Sequence, residues 1–273
     1  MASRSSRSAP LQAFVLHRYD WSESSLILDV FTREQGRIAV AAKGAKRPFS
    51  QLRSVLLPFQ RIHLSLGRPP AGDDAREVQN LRGAEWSSGG SAMLTGAALF
   101  NGFYLNELLM KLVARHDAHP ALFDAYAATI DTLGGANGAN GANGANGASD
   151  AGAQAALRAF EVVLLKEIGF LPDLGVETAT RRPVLADERY RVLADAGVVA
   201  APGATDGAAS GATLAALQAA LAGGDLAALQ KAAARSLAEL RPILRAQLHY
   251  HLGTDSLRTR QVMLDAQGLS APR

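Results

Sequence analysis

The 273-residue chain has no cysteine, which excludes disulfides and thiolate metal centres and removes any hint of an oxidising compartment. It also lacks an apolar run approaching the roughly 20 residues needed to span a bilayer. The start, MASRSSRSAP, is basic and Ser-rich, but His17, Arg18 and Asp20 interrupt the following LQAFVLHRYDW too early for a signal-peptide core. A cytoplasmic location without a membrane partner is the expectation. Catalytic signatures are missing too. There is no GxxxxGK[ST], no GxSxG, and no GxGxxG between a strand and a helix. The paired histidines His116/His119 and His249/His251 have no cysteine beside them and form no HExxH. Surface or interface histidines are therefore expected rather than a metal site, and no cofactor and no enzymatic activity is expected.

Carboxylates are absent between Glu34 and Asp73, a span that holds Arg37, Lys43, Lys46, Arg47, Arg53, Arg61 and Arg68. Residues 1–90 carry 13 Lys and Arg against 8 Asp and Glu, whereas residues 91–273 carry 15 against 17. The first part is thus basic and the second slightly acidic. That asymmetry suits a first part meeting an anionic surface, although a solvated basic face is the commoner meaning of a charge run.

Residues 11–86 read as β structure. Gln12–Arg18 and Ser25–Thr32 are rich in apolar and aromatic residues, REQG turns into RIAVAAK, Ile62, Leu64 and Leu66 alternate with polar residues, and Glu77–Trp86 supplies a fifth strand. Five short strands without intervening helical periods fit an oligonucleotide-binding (OB) barrel. From Ser91 onward the period becomes helical. Leu94, Ala98, Leu105, Leu108 and Leu112 define one helix, and HPALFDAYAATIDTL opens a second. Leu157, Phe160, Leu164 and Ile168 mark a third, ending at Gly169. Two more span Thr213–Leu221 and Asp225–His249, the latter interrupted at Pro242.

The fold class expected is a two-domain α+β chain, a five-stranded OB barrel followed by an all-α helical bundle. The boundaries are a flexible N-terminus at 1–10, the barrel at 11–88 and the helical domain at 91–273. Within the latter, the Gly/Ala/Asn tract 134–149 reads as a floppy loop, because it offers little to bury and much entropy to lose. Residues 170–212 read as an irregular insert, loose at 201–212.

The strongest functional signal is KGAKRPFSQLRSVLLPFQR at 43–61, with five cations and no acid. Gly44 permits a tight turn and Pro48 stops strand pairing, which puts Lys46 and Arg47 on a loop at the barrel rim. Arg37, Lys43, Arg53 and Arg61 extend the cationic surface. Such a surface binds phosphates by charge and counterion release, giving affinity without sequence preference. Among the rings, Phe14, Phe31 and Phe59 read as core and Phe49 as exposed. With so few rings to stack on bases, backbone contacts dominate and both single and double strands are expected to bind.

Three segments, AFVLHRYDWSESSLILDVFTREQGRIAVAAKGAKRP, YLNELLMKLVARHDAHPALFDAY and LRAFEVVLLKEIGF, together resemble the bacterial recombination mediator family RecO, in order from about Gln12 to about Asp265. The resemblance implies recombinational DNA repair. Proteins similar to this one bind single- and double-stranded DNA, anneal complementary strands, and work with RecR to help RecA displace single-stranded-DNA-binding protein (SSB). It further implies that the acidic, Phe-ended C-terminal tail of SSB is captured in the helical domain, with Arg158 at the tail-binding arginine and Val162 and Leu165 on the same stripe. Without the resemblance, an internal ion pair from Arg158 to Glu161 or Asp150 is the simpler reading. Many relatives carry a four-cysteine zinc module after the segment matching KEIGF. Here that stretch has no cysteine, so zinc is not expected and packing of Tyr190, Val192 and Val198 must replace it. A nonspecific OB-fold RNA- or tRNA-binding module is the alternative that barrel and basic loop alone equally allow. Arg235, Arg241, Arg245, Arg258 and Arg260 read equally as further DNA contacts or as solvated helix faces.

Overall fold

The computed structural model describes residues 9–67, 78–87, 93–138, 146–253, 257–259 and 261–262. The first eight residues, Arg68, Arg260 and the centre of the Gly/Ala/Asn tract lie outside them. The chain divides into two compact units, Met1–Leu94 with Leu108–Ala127, and Thr95–Glu107 with Ala128–Arg273.

In the first unit, strands β1 (Leu11–Asp20), β2 (Leu26–Thr32), β3 (Gly36–Ala42), β4 (Arg61–Leu66) and β5 (Val78–Trp86) form a closed barrel in the order β1-β2-β3-β5-β4. Only β3 and β5 run parallel, so this is the OB-type barrel that the five strand signals indicated. Alternation does the sorting. Ala13 and Val15, Leu28 and Val30, Ile38 and Val40, and Ile62 and Leu64 fill the interior, each larger side chain contributing roughly 1.5–3 kcal/mol by leaving water. The basic stretch supplies part of the same core. Its single-turn helix α1 (Leu52–Val55) and the neighbouring Ala45 and Leu56 plug the barrel, which explains why apolar residues are threaded through a cationic segment.

The outer barrel face is apolar where β1 meets β2. Phe14 and Phe31 stand opposite each other, and their rings lie 5.3 and 5.6 Å from that of Phe123. Tyr126 adds an edge contact at 4.9 Å to Phe14. Both partners come from the N-terminal half of a helix assigned from sequence entirely to the second domain. A sheet face carrying two phenylalanines has to be covered, and residues 108–127 do so as part of the barrel unit. The β2–β3 turn is also enclosed. Gly36 has φ +68°, and a Cβ there would sit 1.8 Å from the backbone oxygen of Asp117, so only glycine fits.

The helices are α2 (Gly96–Leu112), α3 (Pro120–Gly138), α4 (Asn146–Glu167), α5 (Gly211–Gly223), α6 (Leu226–Arg235) and α7 (Leu237–Leu252). Helix α3 runs on to Gly138 and α4 begins at Asn146, so helix occupies both ends of the tract read as a loop at 134–149. Asp225 caps α6 as its sequence suggested, accepting from the N–H groups of Ala227 and Ala228 at 2.9 and 3.1 Å. The last helical segment breaks at Ser236 instead of Pro242. Ser236 leaves helical geometry at φ −131°, its hydroxyl 2.9 Å from that of Thr213, while Pro242 is carried inside α7.

The insert 170–212 contains a small sheet, β6 (Arg189–Leu193), β7 (Gly197–Ala200) and β8 (Ala209–Ser210), in the order β7-β6-β8. Tyr190, Val192 and Val198 are buried in it. Arg189 acts as a polar staple for the strand ends. Its guanidinium donates to the carbonyls of Ala204 and Ala208 at 3.2 and 2.8 Å and pairs with Glu239. Among the described residues, no helix is long and apolar enough to cross a membrane.

Candidate nucleic-acid interface

The connection from β3 to β4 is a succession of tight turns. Gly44 takes φ +74°, and backbone N–H groups of Arg47, Ser50 and Arg53 each donate to the carbonyl three residues earlier at 3.0–3.2 Å. With Ala45 and Leu56 held in the core, the polar side chains between them must point outward. Lys43, Arg47 and Arg53 are exposed, with no ion pair among the described residues. Phe49 is 99% exposed, as its setting between Pro48 and Ser50 suggested, and Phe14, Phe31 and Phe59 are buried.

Lys46 fastens this loop to the β1–β2 turn. Its backbone N–H donates to the Ser24 carbonyl at 3.0 Å, and its ammonium reaches Ser22 O at 3.1 Å and an Asp20 carboxylate oxygen at 3.0 Å. Such exposed ion pairs are worth only roughly 0–1 kcal/mol, so a phosphate can replace Asp20 at small cost. Arg18 was not singled out from the sequence, yet it lines one depression together with Asp20, Lys46 and Arg53. Strand β1 extends two residues further than its apolar pattern indicated, through Tyr19 to Asp20, which joins Arg18 at the rim. The rim thus gathers Arg18, Lys46 and Arg53 against Asp20, with Lys43 and Arg47 exposed on the same loop.

Two of the cations expected there are elsewhere. Arg37 is turned to the outer face, where its Nε donates to Asp29 Oδ1 at 3.0 Å and one Nη donates to the carbonyls of Met110 and Val113. Asp29 is only 2% exposed, and Arg115 holds its other oxygen at 3.1 Å. Arg37 therefore neutralises a buried carboxylate and caps the end of α2. Arg61 is half-buried, hydrogen-bonded to Gln12 and lying 5.7 Å over the Phe123 ring. Both arginines stand directly across from outer-face phenylalanines, Arg37 from Phe31 and Arg61 from Phe14. What covers those rings also covers the arginines.

In the second unit, Arg158 borders a cavity of about 200 Å³ with Arg245 and an apolar wall including Phe100, Leu157, Leu248 and Leu257. Val162 and Leu165 are not in that wall. They point into the helical core, 1% and 0% exposed, because the stripe they share with Arg158 rolls inward along α4. The internal ion pair is present, with Arg158 Nη2 to Glu161 Oε1 at 2.8 Å. Tyr104 donates its hydroxyl to the same oxygen at 2.7 Å. Burial raises the Glu161 carboxyl above the ordinary range despite Arg158, and burial raises the Tyr104 hydroxyl as well. Arg158 Nε remains buried without a hydrogen-bond partner among the described residues. Among those residues no cluster of three or more His, Asp or Glu side chains is arranged to hold a metal ion.

Residues 8–87 match the family described as Recombination protein O N terminal, and residues 93–261 match Recombination protein O C terminal. The DNA repair protein RecO of Polaromonas naphthalenivorans is 49% identical over 270 residues, covering 98% of this chain and 100% of the relative. That of Variovorax paradoxus is 52% identical over 268 residues, covering 94% and 96%.

Proposed function

Because the chain belongs to the RecO family of DNA repair proteins, we propose that it is a cytoplasmic recombination mediator that anneals complementary DNA strands and, with RecR, helps load RecA onto SSB-coated DNA. The observation that carries this reading is the cationic rim, where Arg18, Lys43, Lys46, Arg47 and Arg53 are set on a loop anchored by its own apolar residues. Two complementary strands repel each other through their phosphates. A cationic rim lowers that repulsion and leaves the base edges open to pair. Neutralisation needs no nucleotide hydrolysis, so no catalytic machinery is invoked.

The SSB tail is proposed to enter the cavity beside Arg158. A terminal carboxylate suits the guanidinium and an aromatic ring suits the Phe100, Leu157, Leu248 and Leu257 wall. Arg245 adds a second cation for an acidic peptide.

The test of the DNA reading is the variant Lys43→Ala, Arg47→Ala, Arg53→Ala, whose side chains hold nothing in the barrel core. Three lost phosphate contacts should flatten the slope of log affinity against log salt by about 2.7 on duplex and about 2 on single strands. Unchanged low-salt binding by a folded variant would overturn the assignment.

A further inference from the structure

Resting on that DNA reading, we infer that Trp21 and Phe49 form a base-stacking platform at the cationic rim, which gives the barrel a preference for single-stranded over duplex DNA. Stacking was discounted from the sequence because so few rings were expected outside. The structure exposes more. Trp21 is 56% and Tyr19 is 48% exposed, in addition to the fully solvated Phe49.

The far half of β1 explains why. After an irregularity between Val15 and His17, His17, Arg18, Tyr19 and Asp20 are all exposed, so the far half of β1 is solvated while its β2 partners Leu28 and Asp29 stay buried. Arg18 and Asp20 face the depression shared with Lys46 and Arg53. Trp21 sits at the tip, where its backbone N–H donates to the Ser25 carbonyl at 3.3 Å.

Trp21 and the cationic loop belong to one rim. The residues on either side of Trp21 both touch the Lys46 ammonium, Asp20 at 3.0 Å and Ser22 at 3.1 Å. Phe49 follows three residues after Lys46 in the same loop. Large solvated rings on the same two segments that carry the cations are the combination that single strands use, with phosphates on the charges and base faces on the rings. Duplex DNA keeps its base faces stacked inside, so it gains only the charge contribution. Stacking also leaves Watson–Crick edges unoccupied, which is the condition for annealing.

The test uses the full chain. With Trp86→Phe, Trp21 becomes the sole tryptophan of the two present, and its emission should be quenched by oligo(dT) but not by a duplex of equal length. Trp21→Ala and Phe49→Ala should each lower single-strand affinity about tenfold, leave duplex affinity within about twofold, and leave the salt slope of both unchanged. Trp21→Tyr and Phe49→Tyr, which keep a ring, should restore single-strand affinity. Equal losses on both forms of DNA, absence of quenching, or no rescue by tyrosine would overturn the platform. If the ring variants bind normally while the loop variant loses affinity, stacking alone is wrong. If the loop variant also binds normally, the DNA reading fails with it.

Discussion

Removing Arg37 should destabilise the barrel without altering how it responds to salt on DNA. Its guanidinium lies 3.0 Å from Asp29, a carboxylate only 2% exposed, and also serves two carbonyls at the end of α2. Breaking a buried ion pair from one side costs roughly 3–5 kcal/mol, because the remaining charge keeps its desolvation penalty. Asp29 retains Arg115 at 3.1 Å, which places Arg37→Ala near the lower end. Loss of the donor to α2 adds up to about 1 kcal/mol. We therefore expect a loss of about 3–4 kcal/mol, or a urea midpoint lower by about 1–2 M for typical denaturant slopes. Both tryptophans, Trp21 and Trp86, lie in the barrel unit, so intrinsic emission follows that unit specifically. Pairing Arg37→Met with Asp29→Asn should cost less than the two single changes summed, since no charge is then stranded. An unshifted midpoint together with a salt slope reduced by about one would refute this reasoning and return Arg37 to the DNA surface.

The cavity in the second unit supports two further tests. Burial raises the Glu161 carboxyl above its ordinary value of 4.5 against the pull of Arg158, so the folded chain favours the protonated form more than the unfolded chain does, and Glu161 costs stability increasingly as pH rises above that value. Glu161→Gln should gain on wild type in urea unfolding as pH rises above about 4.5, and a pH-independent difference would contradict the burial argument. Arg158→Ala should weaken a fluorescent SSB-tail peptide by about tenfold or more, with Val162→Ala affecting stability alone. Equal peptide binding by wild type and Arg158→Ala would reduce Arg158 to an internal partner of Glu161.

The barrel was legible because period-two alternation and the Gly36 turn leave few other ways to bury Val15, Val30, Val40 and Leu64. The faces of individual arginines were harder to read. Cation density along the chain does not distinguish Arg47, which projects from an anchored loop, from Arg37, which stands on a covered strand. A usable signal did exist. Phe14 and Phe31 alternate out of phase with the interior residues Ala13 and Val30, so another element had to cover that face and enclose the arginines paired across from them. The exposure of Trp21 was hidden for a different reason, since β1 runs past its apolar residues as a solvated arm. In the helical part, strand signals in the insert were too short and Gly/Ala-rich to stand out, and hydrogen bonding by Arg189 organises what periodicity could not show.

The most direct test of the account is the annealing rate of complementary strands, each coated with SSB, measured across a salt titration for wild type and for the Lys43→Ala, Arg47→Ala, Arg53→Ala variant. Wild type should anneal rapidly at low salt and slow steeply as salt rises, while the variant should start at least about tenfold slower and change little. A folded variant that anneals as fast as wild type at low salt would contradict the claim that this rim brings the strands together.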